Sequence, residues 1–325
     1  MKLPRREFLR LAAGAAALPA GSGIARAQSF PSRPVRLIVT VGAGGSPDII
    51  ARLIGQWLSE RLGQPFFVDD RAGASGNIGT EICAKAPPDG YTLMLAMSAN
   101  AINASLYANL NFNFVRDIAP IASISTIPLV MEVNPSVPAH TIAEFIGYAK
   151  ANPGKINMAS GGIGSPLHVA GELFKMMAAV DMIHVPYRSE AFALPDLISG
   201  QVQIMFGVMP ASLGYIRAGK LRALAVTSAE RQEILPDVPA LSEFFSGYEA
   251  NGWYGIGAPK ATPTEIIEKL NKEINAALAD PMMRGRLADL GCNVFAGSPA
   301  DFGKFIADET EKWARVIKFA GIKSE

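Results

Sequence analysis

Apolar and polar positions along the chain alternate between short β-branched runs and longer stretches with apolar residues at helical spacing. PVRLIVTV (34–41) is the first such run, and after several glycines Ile49, Ile50, Leu53, Ile54, Trp57 and Leu58 recur on one helical face. This predicts strand, turn, helix. PFFVDDR predicts a second strand, NIGTEICAKA a second helix, and YTLMLAM a third strand launched from the turn signal Pro87-Pro88-Asp89-Gly90. From IPLVMEVNP the rhythm restarts: helix TIAEFIGYAKAN, strand INMAS, helix PLHVAGELFKMMA, strand IHVPYR, helix ALPDLISG, strand VQIMF, then LRALAVTS.

The last third holds YGIGAP and then helices. Thr262, Pro263 and Glu265 read as a capping start for EIIEKLNKEINAALAD, and Ser298-Pro299 opens ADFGKFIADETEKWARVIKFAG. These helices have too few strands beside them to form a layered domain, so they are expected to pack back on the first unit. Alternating strands and helices predict an α/β fold with largely parallel sheets. The expected division is a discontinuous first domain, 28–124 plus 229–325, around an inserted second domain, 125–228.

The first 27 residues stand apart. A basic start, a short Ala/Leu/Gly-rich middle and Ala25-Arg26-Ala27 have the form of an export signal, and Arg5-Arg6 ahead of Phe8 and Leu9 reads as the twin-arginine type. Pro4 stands where Ser or Thr is more usual. The apolar run is too short for a membrane span, no Cys marks a lipid anchor, and the expected destination is the periplasm. The leader carries Lys2, Arg5, Arg6, Arg10 and Arg26 against Glu7, so its removal turns a formal charge of +1 into −3. That mildly acidic balance offers no basic surface for nucleic acid. Cys83 and Cys292 are the two cysteines, enough for one disulfide in an oxidising compartment or for two small buried apolar residues.

One triplet, Gly-Ser-Pro, occurs at 45–47, 164–166 and 297–299. Its minimal meaning is a helix start, with Ser as N-cap and Pro as first helical residue. The third copy follows a single glycine and need mean no more. The first two differ: a strand runs into Gly42, Gly44 and Gly45 in one case and Gly161, Gly162 and Gly164 in the other. Glycine lets backbone approach a ligand, and the amides and positive end of the helix then form an anion site without Lys or Arg. Two such turns on two domains suggest one anion gripped from both sides. Enzymatic motifs are wanting: GASGNIG lacks the phosphate Lys of a nucleotide loop, no G-x-S-x-G elbow occurs, and His140, His168 and His184 lack metal-ligand spacing. No catalytic residue, metal or cofactor is therefore expected. His184 reads as a strand-end structural residue; His168 reads equally as a ligand contact or as a satisfied helix-packing residue.

The chain resembles the periplasmic substrate-binding proteins of tripartite tricarboxylate transporters, the TctC or Bug receptor family. The likeness runs from about Arg33 to the C-terminus through GGSPDIIAR, RAGASGNIG, PPDGYTL, AINASLY, YAKANPGKIN, GSPLHVAGELF, HVPYR, LISGQV, AGKLRALAVTS, LNKEINAAL and AGIKSE. It implies a two-lobed periplasmic binding protein fold of type II, the Venus flytrap. It also implies capture of a small organic carboxylate, delivery to a membrane permease, and no catalysis. A monomer is expected. By the same resemblance, Ala43, Gly44, Gly45, Ser46 and Asp48, with Ser98, Ala99 and Ala101 after the third strand, supply ligand contacts from one lobe. Ser160, Gly164 and Ser165, with Gly161 of the same turn, supply the other. Asp48 is odd beside an anion unless its carboxylate binds backbone amides or organises water.

The sequence departs from the family pattern at TVGAGG, where a Pro-rich lead is more usual, at Gln203, and at Gly207, where an acidic residue is common. With Gly207 lining the cleft, the pocket would gain room and lack a partner for a ligand ammonium, which predicts a non-amino carboxylate, a dicarboxylate or an aromatic acid. A receptor reporting to a signalling partner, or an enzyme of small carboxylates, stand as alternatives.

Overall fold

Val35, Leu37, Ile38 and Val39 are buried, so the strand they form is covered on both faces, as in a sheet flanked by helices. The computed structural model describes residues 30–324, and the leader read at 1–27 lies outside the described residues. Strand β1 (Val35–Val39) pairs in parallel with β2 (Phe66–Asp70) and with β3 (Thr92–Met97). Beyond β3 the sheet continues with two antiparallel neighbours, β10 (Gly252–Pro259) and β4 (Ile118–Ile127), and ends at the short β11 (Asn293–Val294). A second sheet has the order β7 (Ile183–Pro186), β6 (Asn157–Ser160), β8 (Ile204–Val208), β5 (Leu129–Val133), β9 (Arg222–Val226). Only β6, β7 and β8 pair in parallel; β5 is antiparallel to both its neighbours.

Both sheets are thus mixed, not largely parallel. The chain leaves the first sheet along β4, crosses at Pro128, and returns along β10, so the two crossing strands oppose the strands they join. β4 itself was not legible. Ile118, Ile121, Ile124 and Ile127 recur every three residues with small residues between them, which imitates a helix. Burial on both faces removes the need for strict alternation, and register shifts at Tyr254/Gly255 and Ile256/Gly257 disturb the pairing further.

The helices are α1 (Ser46–Leu62), α2 (Asn77–Ala84), α3 (Ser98–Leu106), α4 (Phe114–Asp117), α5 (Ile142–Ala151), α6 (Pro166–Ala178), α7 (Glu190–Ser199), α8 (Met209–Arg217), α9 (Thr264–Ala279), α10 (Pro281–Asp289) and α11 (Pro299–Ala320). Helix α1 buries Ile50, Ala51, Ile54 and Leu58 and ends at Gly63, whose φ of 72° turns the chain left-handed. Helix α9 starts after Pro263 without a side-chain cap; Thr262 is not the cap, because its hydroxyl donates to Pro259 O at 2.7 Å. Both cysteines are free and buried, so no bridge joins them. Burial pushes the Cys83 thiol up to about 12 and that of Cys292 to about 11. Among the described residues no helix is long and apolar enough to cross a membrane.

The last helix ties the layers together. α11 packs on β4 and α3 and also on α6 of the second unit. Gly255 makes room for it: a Cβ there would stand 2.2 Å from the Phe302 ring. Glu309, buried on α11, accepts hydrogen bonds from the indole N–H groups of Trp253 (3.2 Å) and Trp313 (2.9 Å) and pairs with Lys312, which also donates to Glu249 O at 2.9 Å. One apolar cluster runs from Met94, Ala101 and Leu106 into Leu167, Phe174 and Phe206, so the core is continuous between the two sheets.

Candidate functional site

The first glycine turn follows β1. Ala43, Gly44 and Gly45 are exposed, and Gly44 has a φ of 87°. The N-cap of α1 is Gly45, which makes no side-chain cap bond, and Ser46 lies within the first turn. Ser46 is therefore not the cap that the triplet suggested. Asp48 reaches back instead, its Oδ2 accepting the Gly44 N–H at 2.8 Å. Burial works to raise the Asp48 carboxyl, but the hydrogen bonds from Arg52 and Gly44 outweigh it and hold the group below its ordinary range. Arg52 Nε stands 2.7 Å from Asp48 Oδ1, so the acid's charge is answered within its own lobe. The helical ladder begins with Ile49 N–H donating to Gly45 O at 3.1 Å, and the amides of Gly45, Ser46 and Asp48 have no partner among the described residues.

The second turn follows β6. Here Ser165 is the N-cap, accepting His168 N–H at 3.3 Å, and Pro166 is the first helical residue. Much of this turn is satisfied internally. Gly162 N–H donates to Ser160 Oγ (3.1 Å), Gly164 N–H to His168 Nδ1 (3.0 Å), and Ser165 N–H to Gly162 O (3.1 Å). Gly161, Ile163 and Leu167 keep amides without a partner among the described residues. Ser160 is fully buried, and His184 Nε2 lies 2.6 Å from its Oγ. His168 stacks on His184 with centroids 3.5 Å apart. Burial, aided by the neighbouring His168, pushes the His184 imidazole down to about 4, so it is neutral at pH 7. His168 has its Nδ1 on Gly164 and its Nε2 3.6 Å from Glu172. These contacts tie His168 to the turn through Nδ1 and set its Nε2 beside Glu172.

Helix α3 and the turn Ala74–Gly76 lie between the two glycine turns. A Cβ on Gly76 would stand 3.0 Å from Thr40 Oγ1, just ahead of the first turn; one on Gly164 would stand 2.2 Å from Leu106 Cδ2. Tyr107 OH donates to Ser75 Oγ at 2.9 Å, and Asn103 Nδ2 to Ser75 O at 2.8 Å. Ser98 is buried and Ala99 half-buried at the start of α3, where Asn100 Oδ1 accepts the Met97 N–H (2.8 Å) and its amide donates to Thr80 (2.9 Å). Ala101 is a correction: it has no exposed surface and belongs to the apolar core, one helical turn too deep for a ligand contact. Ser75 was missed. It is an exposed non-glycine residue with φ 55°, next to Ala74 with φ 47°, a conformation found mostly where surrounding structure enforces it. The stretch lies in RAGASGNIG, one of the motifs of the family likeness, in which no role was assigned to Ser75.

Gly207 is the second correction. It leaves no room, because a Cβ there would stand 2.4 Å from Glu132 Oε1, 2.7 Å from Ser212 Oγ and 2.9 Å from Glu190 Oε1. A cavity of about 600 Å³ beside Pro128, Met209, Pro210 and Cys292 touches neither glycine turn.

Gly164, at φ 71° with Leu106 against it, tolerates no side chain. Gly164→Ala is expected to destabilise by roughly 1–3 kcal/mol in denaturant unfolding. Gly45→Ala, at φ −81° with only Pro47 in ordinary contact, should stay within about 0.5 kcal/mol of the parent.

Two α/β units, each presenting a glycine-rich strand-to-helix turn, define the two-lobed class of periplasmic binding proteins. The family model for the tripartite tricarboxylate transporter family receptor, TctC, matches residues 50–322, and the chain belongs to that family. Protein BugT of Bordetella pertussis is 36% identical over 300 residues, covering 91% of this chain and 92% of BugT. The structure of Rpa4515 from R. palustris with adipate superposes with a TM-score of 0.77 at 37% identity, over 90% of this chain and 99% of that one. MatC from Rhodopseudomonas palustris, with bound malate, has a TM-score of 0.73 at 30% identity, over 89% and 100%.

Proposed function

We propose that the protein captures a small organic carboxylate between its two lobes in the periplasm and hands it to a tripartite tricarboxylate-type permease, without catalysis. On this reading the lobes divide where the chain passes between the two sheets, near Pro128 and between Val226 and Gly252. The observation that carries the reading is the pair of turns, 43–48 and 160–165, each ending a strand and opening a helix with unpartnered amides. Helix N-termini of this kind hold carboxylates without a cationic side chain. The site residues on this reading are Ala43, Gly44, Gly45 and Ser46 with Ser98 and Ala99 from one lobe, and Gly161, Ile163, Gly164 and Ser165 from the other. Asp48, Ser160 and His168 hold the turns in shape.

A dicarboxylate suits two anion turns, one for each end, and the adipate and malate bound by two relatives support that choice. The leader read at 1–27 supports the periplasm, and the family name supports the permease partner. The working form is a monomer, since one chain supplies both turns.

Titration calorimetry with adipate and with malate tests the reading. One site per chain, micromolar or tighter, with ligand recovered unchanged, is expected; heat only from cationic or neutral solutes, or conversion of the acid, contradicts it.

A further inference from the structure

The space beside Gly207 is filled by two acids. Glu132 comes from β5, Glu190 is the first residue of α7, and Ser212 comes from α8. Glu132 is wholly buried; its Oε1 accepts the Ser212 hydroxyl at 2.7 Å, while the buried Oε2 has no partner among the described residues. Glu190 Oε1 accepts Val208 N–H at 2.6 Å, and the Glu190 backbone nitrogen would lie 3.4 Å from a Cβ on Gly161. The pair therefore sits directly beneath the second glycine turn, where β6 and β8 both end.

No cation faces either acid among the described residues. Glu132 is faced by Glu190 from α7 and Ser212 from α8, and Glu190 by the Val208 amide of β8. Two carboxyl groups in one low-dielectric site cannot both ionise cheaply, so the pair shares a proton over part of the neutral range. An anion arriving in the turn above raises the cost of ionising them further. The same proton, once on the half-buried Glu190, gives a carboxyl O–H that can donate to a carboxylate oxygen, while the wholly buried Glu132 acts through its charge alone.

We propose that Glu132 and Glu190 form a proton-holding site at the floor of the cleft, and that capturing a carboxylate ligand draws a proton from solvent onto this pair. The inference rests on the carboxylate reading above. It makes the two acids specificity determinants: they favour acceptor-bearing anions when protonated, whereas an ammonium ligand would expel the proton. By linkage, uptake on binding means that affinity falls as pH rises through the range in which the pair ionises, by up to about tenfold per pH unit for each proton.

Calorimetry of adipate binding at pH 7.5 in phosphate and in Tris, buffers of very different ionisation enthalpy, counts the protons exchanged. The wild type is expected to take up roughly half a proton or more. Glu190→Gln and Glu132→Gln, both isosteric with the protonated acid, should each still bind adipate while uptake falls by at least half, with a flatter affinity profile from pH 6 to 9. Binding by the wild type with no exchange, with proton release, or with an uptake that survives in both variants overturns the proposal. No binding of adipate or malate by the wild type refutes the carboxylate reading itself, and this inference falls with it.

Discussion

Raising the pH from 5 to 9 is expected to cost the wild type up to about 4 kcal/mol of unfolding free energy that the Glu132→Gln variant largely retains. Burial raises the Glu132 carboxyl to about 8, against an ordinary 4.5, with Glu190 adding to the effect and the Ser212 hydroxyl opposing it. Burial likewise raises Glu190 to about 7, opposed by the Val208 amide. Folded values above unfolded ones mean that the folded state binds more protons, so the contribution is complete below the unfolded value near 4.5. It is lost as pH rises through 7 and 8. Glutamine carries no charge at any of these values, so the gap between variant and wild type should be near zero at pH 5 and widest at pH 9. Urea unfolding at four pH values measures it; a gap that does not change with pH would show that Glu132 is not held neutral.

The second large effect is expected at the buried Glu309 of the last helix. Glu309→Ala leaves two buried indole N–H groups and the Lys312 ammonium without their shared acceptor. Breaking one side of a buried charged network costs about 3–5 kcal/mol. Because α11 touches both α3 and α6, the loss should be read by tryptophan fluorescence as earlier unfolding of the whole chain. Glu309→Gln, which keeps one oxygen acceptor, should lose less. A cost under 1 kcal/mol for the alanine variant would mean that the indoles find water instead.

These two carboxylates illustrate what the sequence conceals. Glu132 and Glu309 look in the chain like any solvated acid, and only the pairing of β5 with β8, or the folding of α11 onto Trp253, buries them. Long-range packing likewise hid β4, whose isoleucines repeat at a helical interval, and gave Gly207 the opposite meaning from open space. Local chemistry was far more legible. Helix α6 begins and ends where its apolar pattern does, with Ser165 capping and Pro166 first. Both glycine turns were visible as strands running into helix starts. Their internal wiring was not, since Asp48 on Gly44 and His168 on Gly164 depend on rotamers and loop angles that no spacing reveals. The left-handed backbone of Ser75 likewise has no signature beyond its neighbouring glycines.

The clasp by two turns is tested most directly by following backbone amides in a ¹⁵N–¹H titration with adipate. Amides at 44–48 and at 161–165 are expected to shift together, saturating at one ligand per chain with a single dissociation constant. Shifts confined to one turn, or separate constants for the two, would contradict a single anion held between the lobes.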